Sequence, residues 1–547
     1  MHTVADGLQT TLELLATSKN EAASAVLIAA LDAPQSELRE AALRALLRRR
    51  SQAGQREVLR RLTAQNTRWR EILGEKPGKL SGALRDGLLG SDPQLFEHAR
   101  QAVVWFREYD LLPALLTTAE SGATAQADAA AETMLKLIDA LYEELSQPRD
   151  YSNRRDPQRV REYILASLEQ STLRFTTHRR KEVLEGFLLL VNRDNATLKR
   201  ILHDPKHACY LTVIDLLTRG RHGGTIRLLL SFLDDPQAPS SILKIVAHRS
   251  DLRFVRHLLD KVADAPSATV LQNVRRLDTI AWVRDDYTLL GELNAEGQQA
   301  AVKLIMASGM KRTEVLHSIQ YLLLHGLPAA RRTAAAALAE FKGAEANALA
   351  LRAIEDDDPE VQAQIVAQLR ARGIPGALQR LMQALDHPHE AVRDAARESL
   401  SEFSYHRFAG AFETLDETVQ RSTGRLVKKV DPTAIESLSA ELTSRSRTRR
   451  LRGLDMAAAM DAIAELEIDV LRCLRDDDHM IRVAAARALA HCPTATARQA
   501  LEEALGDSSP PVRFEAAQSL DLLARQWPAA PLADLSPPPT MPGEPTT

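Results

Sequence analysis

The chain has 547 residues, 45% of them hydrophobic, and a formal net charge of -3. This length exceeds what one compact core usually holds and favours several domains or one elongated array of repeats. The near-neutral charge excludes a uniformly basic nucleic-acid coat, and three scattered cysteines exclude a disulfide framework and favour a reducing compartment.

Helix-forming residues dominate the composition. Alanine, leucine and arginine are abundant, whereas aromatic residues make up only 4% of the chain. Such a composition suits helices and gives few β-branched strand runs, so we predict an all-α fold.

The N-terminal residues carry no recognisable targeting signal. Residues 1–31 lack a basic leader, and their longest apolar stretch, Ala25 to Leu31, is too short for a signal core or a membrane span. No other segment reaches about 18 consecutive apolar residues. We therefore expect a soluble, cytoplasmic protein without membrane insertion.

Five segments follow one another along the chain. Helical repeats are predicted over residues 1–145, a protruding polar loop over 146–157, and divergent helical repeats over 158–325. Well-matched repeats with a period of 30–31 residues follow over 326–526. The last segment, 527–547, holds seven prolines and little to bury, so it is predicted to be disordered.

A recurring phrase defines the period. Its first apolar residue returns in steps of 31, 31, 59, 30 and 31 residues, and the residue after it is usually basic. The step of 59 is close to two periods and leaves one degenerate unit between Phe408 and Thr443. The apolar and following positions are Ala330 with Arg331, Val361 with Gln362, Val392 with Arg393, Leu451 with Arg452, Ile481 with Arg482, and Val512 with Arg513.

Each period predicts two helices. In residues 374–403 the first apolar stripe comprises Leu378, Leu381, Met382 and Leu385, and the second includes Val392, Ala396, Leu400 and Phe403. Between them "DHPHE" breaks the helix, with Asp386 suited to a helix N-terminus and Pro388 to the first helical position. Each pair can bury its apolar faces only against its neighbours.

These phrases resemble HEAT repeats, specifically the short bacterial kind also described as phycobilin-lyase HEAT-like repeats. The resemblance lies in "DDDPEVQAQIVAQL", "DHPHEAVRDAARESL", "DDDHMIRVAAARAL" and "SPPVRFEAAQSL". It implies a right-handed α-solenoid, an armadillo-like superhelix of stacked helix pairs, about fifteen of them by length over period. It also implies a ladder between adjacent repeats that joins Asp386 with Arg393, Asp477 with Arg482, and Asp507 with Arg513.

Motifs for chemistry are weak. "GEKPGKL" at 74–80 lacks the spacing and the Ser or Thr of a phosphate loop, and the histidines and Cys209 of 203–209 have no second cluster to complete a metal site. The segment 218–227, "TRGRHGGTIR", could hold an anion at its glycine turn, although glycines commonly only separate helices. We predict no catalytic residues, no metal and no cofactor.

Basic clusters give the strongest functional signal. Ten arginines lie between Leu38 and Arg70, nine Lys or Arg between Arg421 and Arg452, and nine between Arg149 and Lys181. They either form a positive groove or are balanced by acids on neighbouring helices. The candidate binding residues in them are Arg48, Arg49, Arg50, Arg447, Arg449 and Arg450.

A long repeat surface predicts binding rather than chemistry. We expect a non-catalytic scaffold or adaptor for partner proteins, with further contact residues on exposed positions of the second helices. A nucleic-acid-binding solenoid that uses the arginine clusters is the alternative, and an enzyme of the base-excision or pigment-lyase kind is a third hypothesis. The sequence identifies no particular partner and no oligomeric state. The contact residues predicted on the second helices are Asp394, Glu398, Arg487, Phe514, Gln518 and Asp521.

Overall fold

The computed structural model describes residues 2–75, 78–122, 124–148, 156–263, 265–284 and 287–526. It divides into two compact units, Met1–Ser318 and Ile319–Thr547. The predicted disordered tail at 527–547 and most of the predicted loop at 146–157 lie outside the described residues.

The first unit contains α-helices joined by short turns, and three-residue 3-10 helices cover Tyr109–Leu111 and Phe232–Asp234. Its helices are α1 (His2–Thr17), α2 (Ala22–Ala30), α3 (Ser36–Arg49), α4 (Gln52–Arg61), α5 (Thr67–Gly74), α6 (Ser81–Leu89), α7 (Pro93–Trp105), α8 (Leu112–Glu120), α9 (Ala125–Ser146), α10 (Pro157–Leu173), α11 (Phe175–His178), α12 (Lys181–Leu190), α13 (Ala196–His203), α14 (Tyr210–Arg219), α15 (Gly223–Ser231), α16 (Ser240–His248), α17 (Leu252–Ala263), α18 (Ala268–Val274), α19 (Ala281–Arg284), α20 (Thr288–Glu292) and α21 (Ala295–Ala307).

The division between the units falls within α22 (Arg312–His325), and a 3-10 helix covers Phe412–Thr414. The helices of the second unit that follow are α23 (Pro328–Leu338), α24 (Ala344–Ala353), α25 (Pro359–Val366), α26 (Ala377–Ala384), α27 (Glu390–Ser399), α28 (Tyr405–Ala411), α29 (Glu417–Val430), α30 (Ala434–Leu442), α31 (Arg447–Ala459), α32 (Glu467–Cys473), α33 (His479–Leu489), α34 (Ala495–Ala504) and α35 (Pro510–Gln526).

The all-α prediction is confirmed, since the described residues form helices and no strand. Within the first unit α7, α9, α12, α15, α17 and α21 contact one another in that order. Within the second unit the same holds for α23, α25, α27, α29, α31, α33 and α35. Because every second or third helix meets its counterpart in the next repeat, each unit is a stack of helix pairs, as the period predicts.

Aspartate caps start several of these helices. The carboxylate of Asp358 accepts the backbone N–H of Glu360, and that of Asp478 accepts the N–H of Met480. An Asp–Pro pair at Asp358 and Pro359 places proline in the first turn, where its missing N–H costs nothing. The turn before α27 departs from the prediction, because α27 begins after His389 and Asp386 caps nothing there.

The predicted apolar stripe of α26 is only half buried. Leu381 and Leu385 are 1% and 6% exposed, whereas Leu378 and Met382 are 51% and 45% exposed. The helix packs mainly against α27, so one side of the stripe has no neighbouring helix to cover it. Val392, Ala396 and Leu400 are buried, as predicted for the second stripe. In the described part of the chain no helix is long and apolar enough to span a bilayer.

Candidate partner-binding groove

A groove of about 820 Å³ crosses three helices of the first unit, α9, α15 and α17. Helix α9 has 22 residues, whereas α12, which contacts both α9 and α15, has only 10. The last turns of α9 therefore meet the start of α15 directly, through Tyr142 and His222. The residues that line this α9–α17 groove are Asp139, Tyr142, Glu143, His222, Gly223, Ile226, Arg227, Leu230, Ser231, Asp234, Arg253, His257 and Lys261.

His222 ties α15 to α9. Its Nδ1 accepts the backbone N–H of Gly224 at 3.0 Å, which caps the helix, and its Nε2 therefore carries the proton and donates to Asp139 Oδ1 at 2.6 Å. Tyr142 meets the imidazole edge-on, with ring centroids 4.9 Å apart. Since both ring nitrogens are engaged, His222 positions the two helices and is not a free general base.

Gly224 allows this close packing. A Cβ at that position would lie 3.0 Å from Tyr142 Cε2 and 3.2 Å from Leu189 Cδ2. Any larger residue would press Tyr142 away from the first turn of α15. The glycines of "TRGRHGGTIR" thus serve the contact between α9 and α15.

The anion site considered for this turn does not form there. The Gly224 N–H is taken by His222, and Arg219 pairs with Asp215 at 2.9 Å on its own helix. The guanidinium of Arg227, by contrast, lies 5.0 Å from the centre of the Tyr142 ring, a cation–π distance, and lines the groove. Of the basic residues in this segment, Arg227 is the one that the fold presents to the groove.

The groove carries charges of both signs. Lys261 donates to Asp234 at 2.7 Å, and Arg253 donates to the backbone carbonyl of Arg221 at 3.2 Å. Glu143 and His257 are exposed on opposite walls, α9 and α17. A surface with exposed acids, bases and an aromatic ring suits a polypeptide better than a uniformly acidic polymer.

The N-terminal arginine cluster is largely engaged within the protein. Of its ten arginines, Arg44, Arg60, Arg61 and Arg68 pair with carboxylates. Three more are held otherwise: Arg39 and Arg49 donate to backbone carbonyls, and Arg70 lies over the Trp105 ring. Among the predicted binding residues, Arg49 therefore joins α3 to the turn after α1, whereas Arg48 and Arg50 stay exposed.

The second arginine cluster joins neighbouring repeats. Arg447 forms an ion pair with Asp478, and Arg450 pairs with Asp476 at 2.9 Å. Both acids belong to the turn that precedes α33, so these arginines of α31 link it to the following repeat. Arg449 points to solvent. The basic clusters therefore mostly stabilise the stack and form no broad positive surface.

The residues predicted on the second helices are exposed, but not all of them are unengaged. Arg487 of α33 pairs with Glu515 of α35 at 2.9 Å. Glu398 and Gln518 are exposed, and Phe514 is 64% exposed. These residues lie in the second unit and are not brought together with the α9–α17 groove, which lies in the first.

The ladder between repeats uses partners that differ from the expected ones. Arg482 pairs through its side chain with Asp507 of the following turn at 2.9 Å, while only the backbone carbonyl of Asp477 accepts from it. Arg513 likewise donates to the carbonyl of Asp507. The basic residue therefore holds its own turn by the backbone and the next turn by a carboxylate.

The pair predicted between Asp386 and Arg393 does not form. Asp386 instead accepts from Lys429 at 2.7 Å, and Arg393 donates to the carbonyls of His387 and Pro388. The position that matches Asp476 and Asp507 is His387 in this repeat, so no carboxylate stands there.

Hydrogen bonds correct the register of one repeat. In successive repeats, Gln362, Arg393, Arg482 and Arg513 each donate to the carbonyl six residues earlier. In α31 the residue that makes this bond is Arg450, to Ser444, and not the predicted Arg452. Arg452 instead faces Glu441 at 3.4 Å.

The ladder predicts a pH dependence. The hydrogen bond from Arg482 holds the pKa of Asp507 below its usual value, and the side chains are only 14% and 13% exposed. A lowered pKa stabilises the fold above the unfolded-state value of about 3.9, and this contribution is lost as the pH falls through the folded-state pKa. We expect Asp507→Asn to cost ~1 kcal/mol in the free energy of unfolding at pH 7.

Urea unfolding of both proteins between pH 7 and pH 2.5 measures this effect. The gap between wild type and Asp507→Asn should close as the pH drops below about 4. Asp521→Asn, which removes an exposed pair with Arg525 on one helix, is the control and should change stability by less than ~0.5 kcal/mol. A gap that stays constant down to pH 2.5 contradicts the ladder.

The cysteines and acidic runs have structural surroundings. Burial raises the pKa of the Cys209 and Cys473 thiols to about 11, which disfavours the reactive thiolate. The aspartates of 356–358 and 476–478 serve caps and the ladder. Across the described ranges no group of three or more His, Cys, Asp or Glu side chains is placed to hold a metal ion.

A family description, HEAT repeats, matches residues 315–401, 346–439 and 468–536. The chain contains HEAT repeats. The matches overlap the segments in which the ladder between repeats is found. A comparison with curated proteins finds no significant match.

Solved structures of helical-repeat proteins are also similar to the chain. One from a study of the interaction between cadherin and beta-catenin is 13% identical and covers 92% of this chain and 99% of its own, with a TM-score of 0.33. Kap121p is 13% identical over 96% of this chain and 54% of its own, with a TM-score of 0.25, so this chain spans about half of that protein's length. A chain from a complex of Kap95p with RanGDP is 12% identical over 95% of this chain and 73% of its own, with a TM-score of 0.26.

Sequence reasoning missed the groove. Asp139 and His222, which join its walls, are 83 residues apart and belong to helices of the divergent middle segment. The glycine turn at 218–227 is the one local signal near it. No periodic pattern in the sequence relates that turn to the end of α9.

Proposed function

We propose that this chain is a non-catalytic scaffold that binds a partner protein through a polypeptide segment laid across the α9–α17 groove. The observation that carries the proposal is the groove itself. It is about 820 Å³ in volume, lies on successive repeat helices and presents Tyr142 beside exposed charges of both signs. Aromatic and arginine side chains are the residues that most often anchor protein interfaces.

The alternative of nucleic-acid binding has less support. It needs clustered cations that are free to replace counterions along a phosphate backbone. Seven of the ten arginines between Leu38 and Arg70 are held by partners within the protein, and Arg447 and Arg450 link repeats. The hypothesis of an enzyme has less support still, because the central histidine of the groove, His222, is engaged on both nitrogens.

The repeats themselves fit the short HEAT-like kind also described for phycobilin lyases. The residues that bond the carbonyl six positions earlier recur at Gln362 and Arg393, and again at Arg450, Arg482 and Arg513. These spacings of 31 or 32 residues support that assignment. A cytoplasmic location is part of the same proposal.

Affinity capture with groove variants tests the proposal. Glu143→Lys combined with His257→Glu reverses exposed charges on both walls and touches no buried contact. Tagged full-length protein is incubated with nuclease-treated lysate, and captured proteins are quantified by mass spectrometry. We expect a defined set of partners to fall at least about tenfold in the variant, as loss of interface contacts worth about 1.4 kcal/mol would produce.

The matched control is Glu398→Lys combined with His406→Glu, the same substitutions at exposed positions of the second unit. It should retain the full set of partners. A crosslinker placed at position 257 should attach to one of the proteins that the groove variant loses. Capture that is identical in both double variants, or that disappears with nuclease treatment, contradicts the proposal.

A further inference from the structure

A second, smaller cavity adjoins the groove and contains two arginines. Its volume is about 300 Å³, and it shares Arg227 and Ser231 with the groove. None of the described residues that line it is acidic. They are Leu145, Gln158, Arg161, Val191, Asn192, Arg227, Leu228 and Ser231.

Arg161 is held in place but keeps donors free. Its Nε donates to the Leu190 carbonyl at 2.7 Å, and its terminal nitrogens have no hydrogen-bond partner among the described residues. Burial, and secondly the positive charge of Arg227, lower the pKa of the Arg161 guanidinium. The group nevertheless stays charged at neutral pH, because a guanidinium is not deprotonated in proteins.

Arg227 also lacks a carboxylate partner within the described part of the chain. Its guanidinium rests over the Tyr142 ring, and its side chain is exposed. The nearby acid Asp234 is occupied by Lys261 and Arg193. Glu143, an exposed acid of the groove, is not among the lining residues of the smaller cavity.

Neutral donors complete the cavity. The side-chain amides of Gln158 and Asn192 are exposed and make no hydrogen bond to any described residue. The Ser231 hydroxyl donates to the Leu228 carbonyl at 2.6 Å and so is not available as a donor to a ligand. The free donors are therefore two guanidinium groups and two amides, with no acceptor of opposite charge between them.

We propose that this cavity, the Arg161–Arg227 pocket, binds the dianionic phosphoryl group of a phosphate monoester. Two positive groups that repel each other in one small cavity are stabilised by an anion between them, and arginine forks bind phosphate oxygens bidentately. A phosphate monoester carries about two negative charges at pH 7 and matches both arginines. A carboxylate or a phosphate diester carries one charge and would leave one arginine uncompensated. The proposal goes beyond the scaffold function and does not depend on it.

Calorimetric titration of the full-length protein with methyl phosphate, dimethyl phosphate and acetate tests the pocket. Methyl phosphate should bind saturably, and the two monoanions at least about tenfold more weakly. Arg227→Gln should weaken methyl phosphate binding at least about tenfold, and Arg227→Lys should restore part of it. Arg227 forms no ion pair with a described residue, so its variants should fold like wild type.

Arg159→Gln is the matched control. Arg159 lies two residues from Arg161 on the same helix, is exposed and does not line the pocket. It removes the same charge and should leave the affinity for methyl phosphate unchanged. Equal weakening by Arg159→Gln and Arg227→Gln, equal affinity for acetate, or titrations without saturation would overturn the proposal.

A phosphoserine peptide distinguishes the source of the phosphoryl group. If it belongs to a phosphorylated protein segment, acetyl-Gly-phosphoserine-Gly-amide should bind more tightly than methyl phosphate, because its backbone can extend into the groove. Equal affinities indicate a small phosphorylated ligand. Either result supports the pocket, and binding of neither probe overturns it.

Discussion

Leu400→Asp should destabilise the second unit by at least ~4 kcal/mol, enough to unfold it under ordinary conditions. Leu400 ends α27, is 0% exposed and lies in the second apolar stripe with Val392 and Ala396. A carboxylate there would be buried among apolar side chains without a partner. It would have to take up a proton or expose the interface between α27 and its neighbours.

Glu398→Lys is the matched control for this prediction. Glu398 lies two residues away on α27, is exposed and forms no ion pair with any described residue, so its replacement should change the free energy of unfolding by less than ~0.5 kcal/mol. Urea unfolding followed by circular dichroism measures both variants. Similar midpoints for the two would mean that Leu400 does not lie on the buried face of α27.

Gly424→Ala should cost ~2–3 kcal/mol, although alanine is the better helix former. Gly424 lies within α29 where that helix meets α31. A Cβ at this position would lie 2.8 Å from the carbonyl oxygen of Ala459 and 3.1 Å from Met460 Cγ. The first of these atoms belongs to helix backbone, which cannot move aside as a side chain does, so the two helices would have to separate.

Gly410→Ala provides the comparison. Gly410 lies in α28 of the same unit, and nothing stands within 4 Å of a Cβ built there. The propensity gain of up to ~1 kcal/mol should therefore appear as unchanged or higher stability in urea unfolding. If Gly424→Ala proved as stable as Gly410→Ala, the close approach of α29 and α31 would be incorrect.

Both predictions rest on packing that local sequence signals anticipate to different degrees. The burial of Val392 and Leu400 follows from helical spacing, which needs only the residues of one helix. The contact at Gly424 falls in the degenerate unit between Phe408 and Thr443, where the repeated phrase is lost. A lone glycine inside a helical pattern marks either a weak point or a close contact, and only the position of α31 distinguishes the two.

The register of α31 shows why an apolar pattern alone can mislead. The pattern aligns Leu451 with Ile481 because it is the nearest apolar residue, yet Arg449 occupies the equivalent position, counted from the helix start. The repeat tolerates an exposed arginine there, so the apolar signal is shifted by two residues. The hydrogen bond from Arg450 to the Ser444 carbonyl identifies the true equivalence, and no composition rule predicts such a bond.

The sequence by itself determined the helical class, the 31-residue repeat and its capped turns, because each depends on residues within one helix pair and recurs at constant spacing. Only the tertiary structure decided where charges are neutralised and where they stay free. Arg482 reaches Asp507 across a repeat, and the Arg161–Arg227 pocket gathers residues from α10, α15 and the end of α12. Such pairings depend on the relative lengths and positions of helices far apart in the chain, and no local periodicity encodes them.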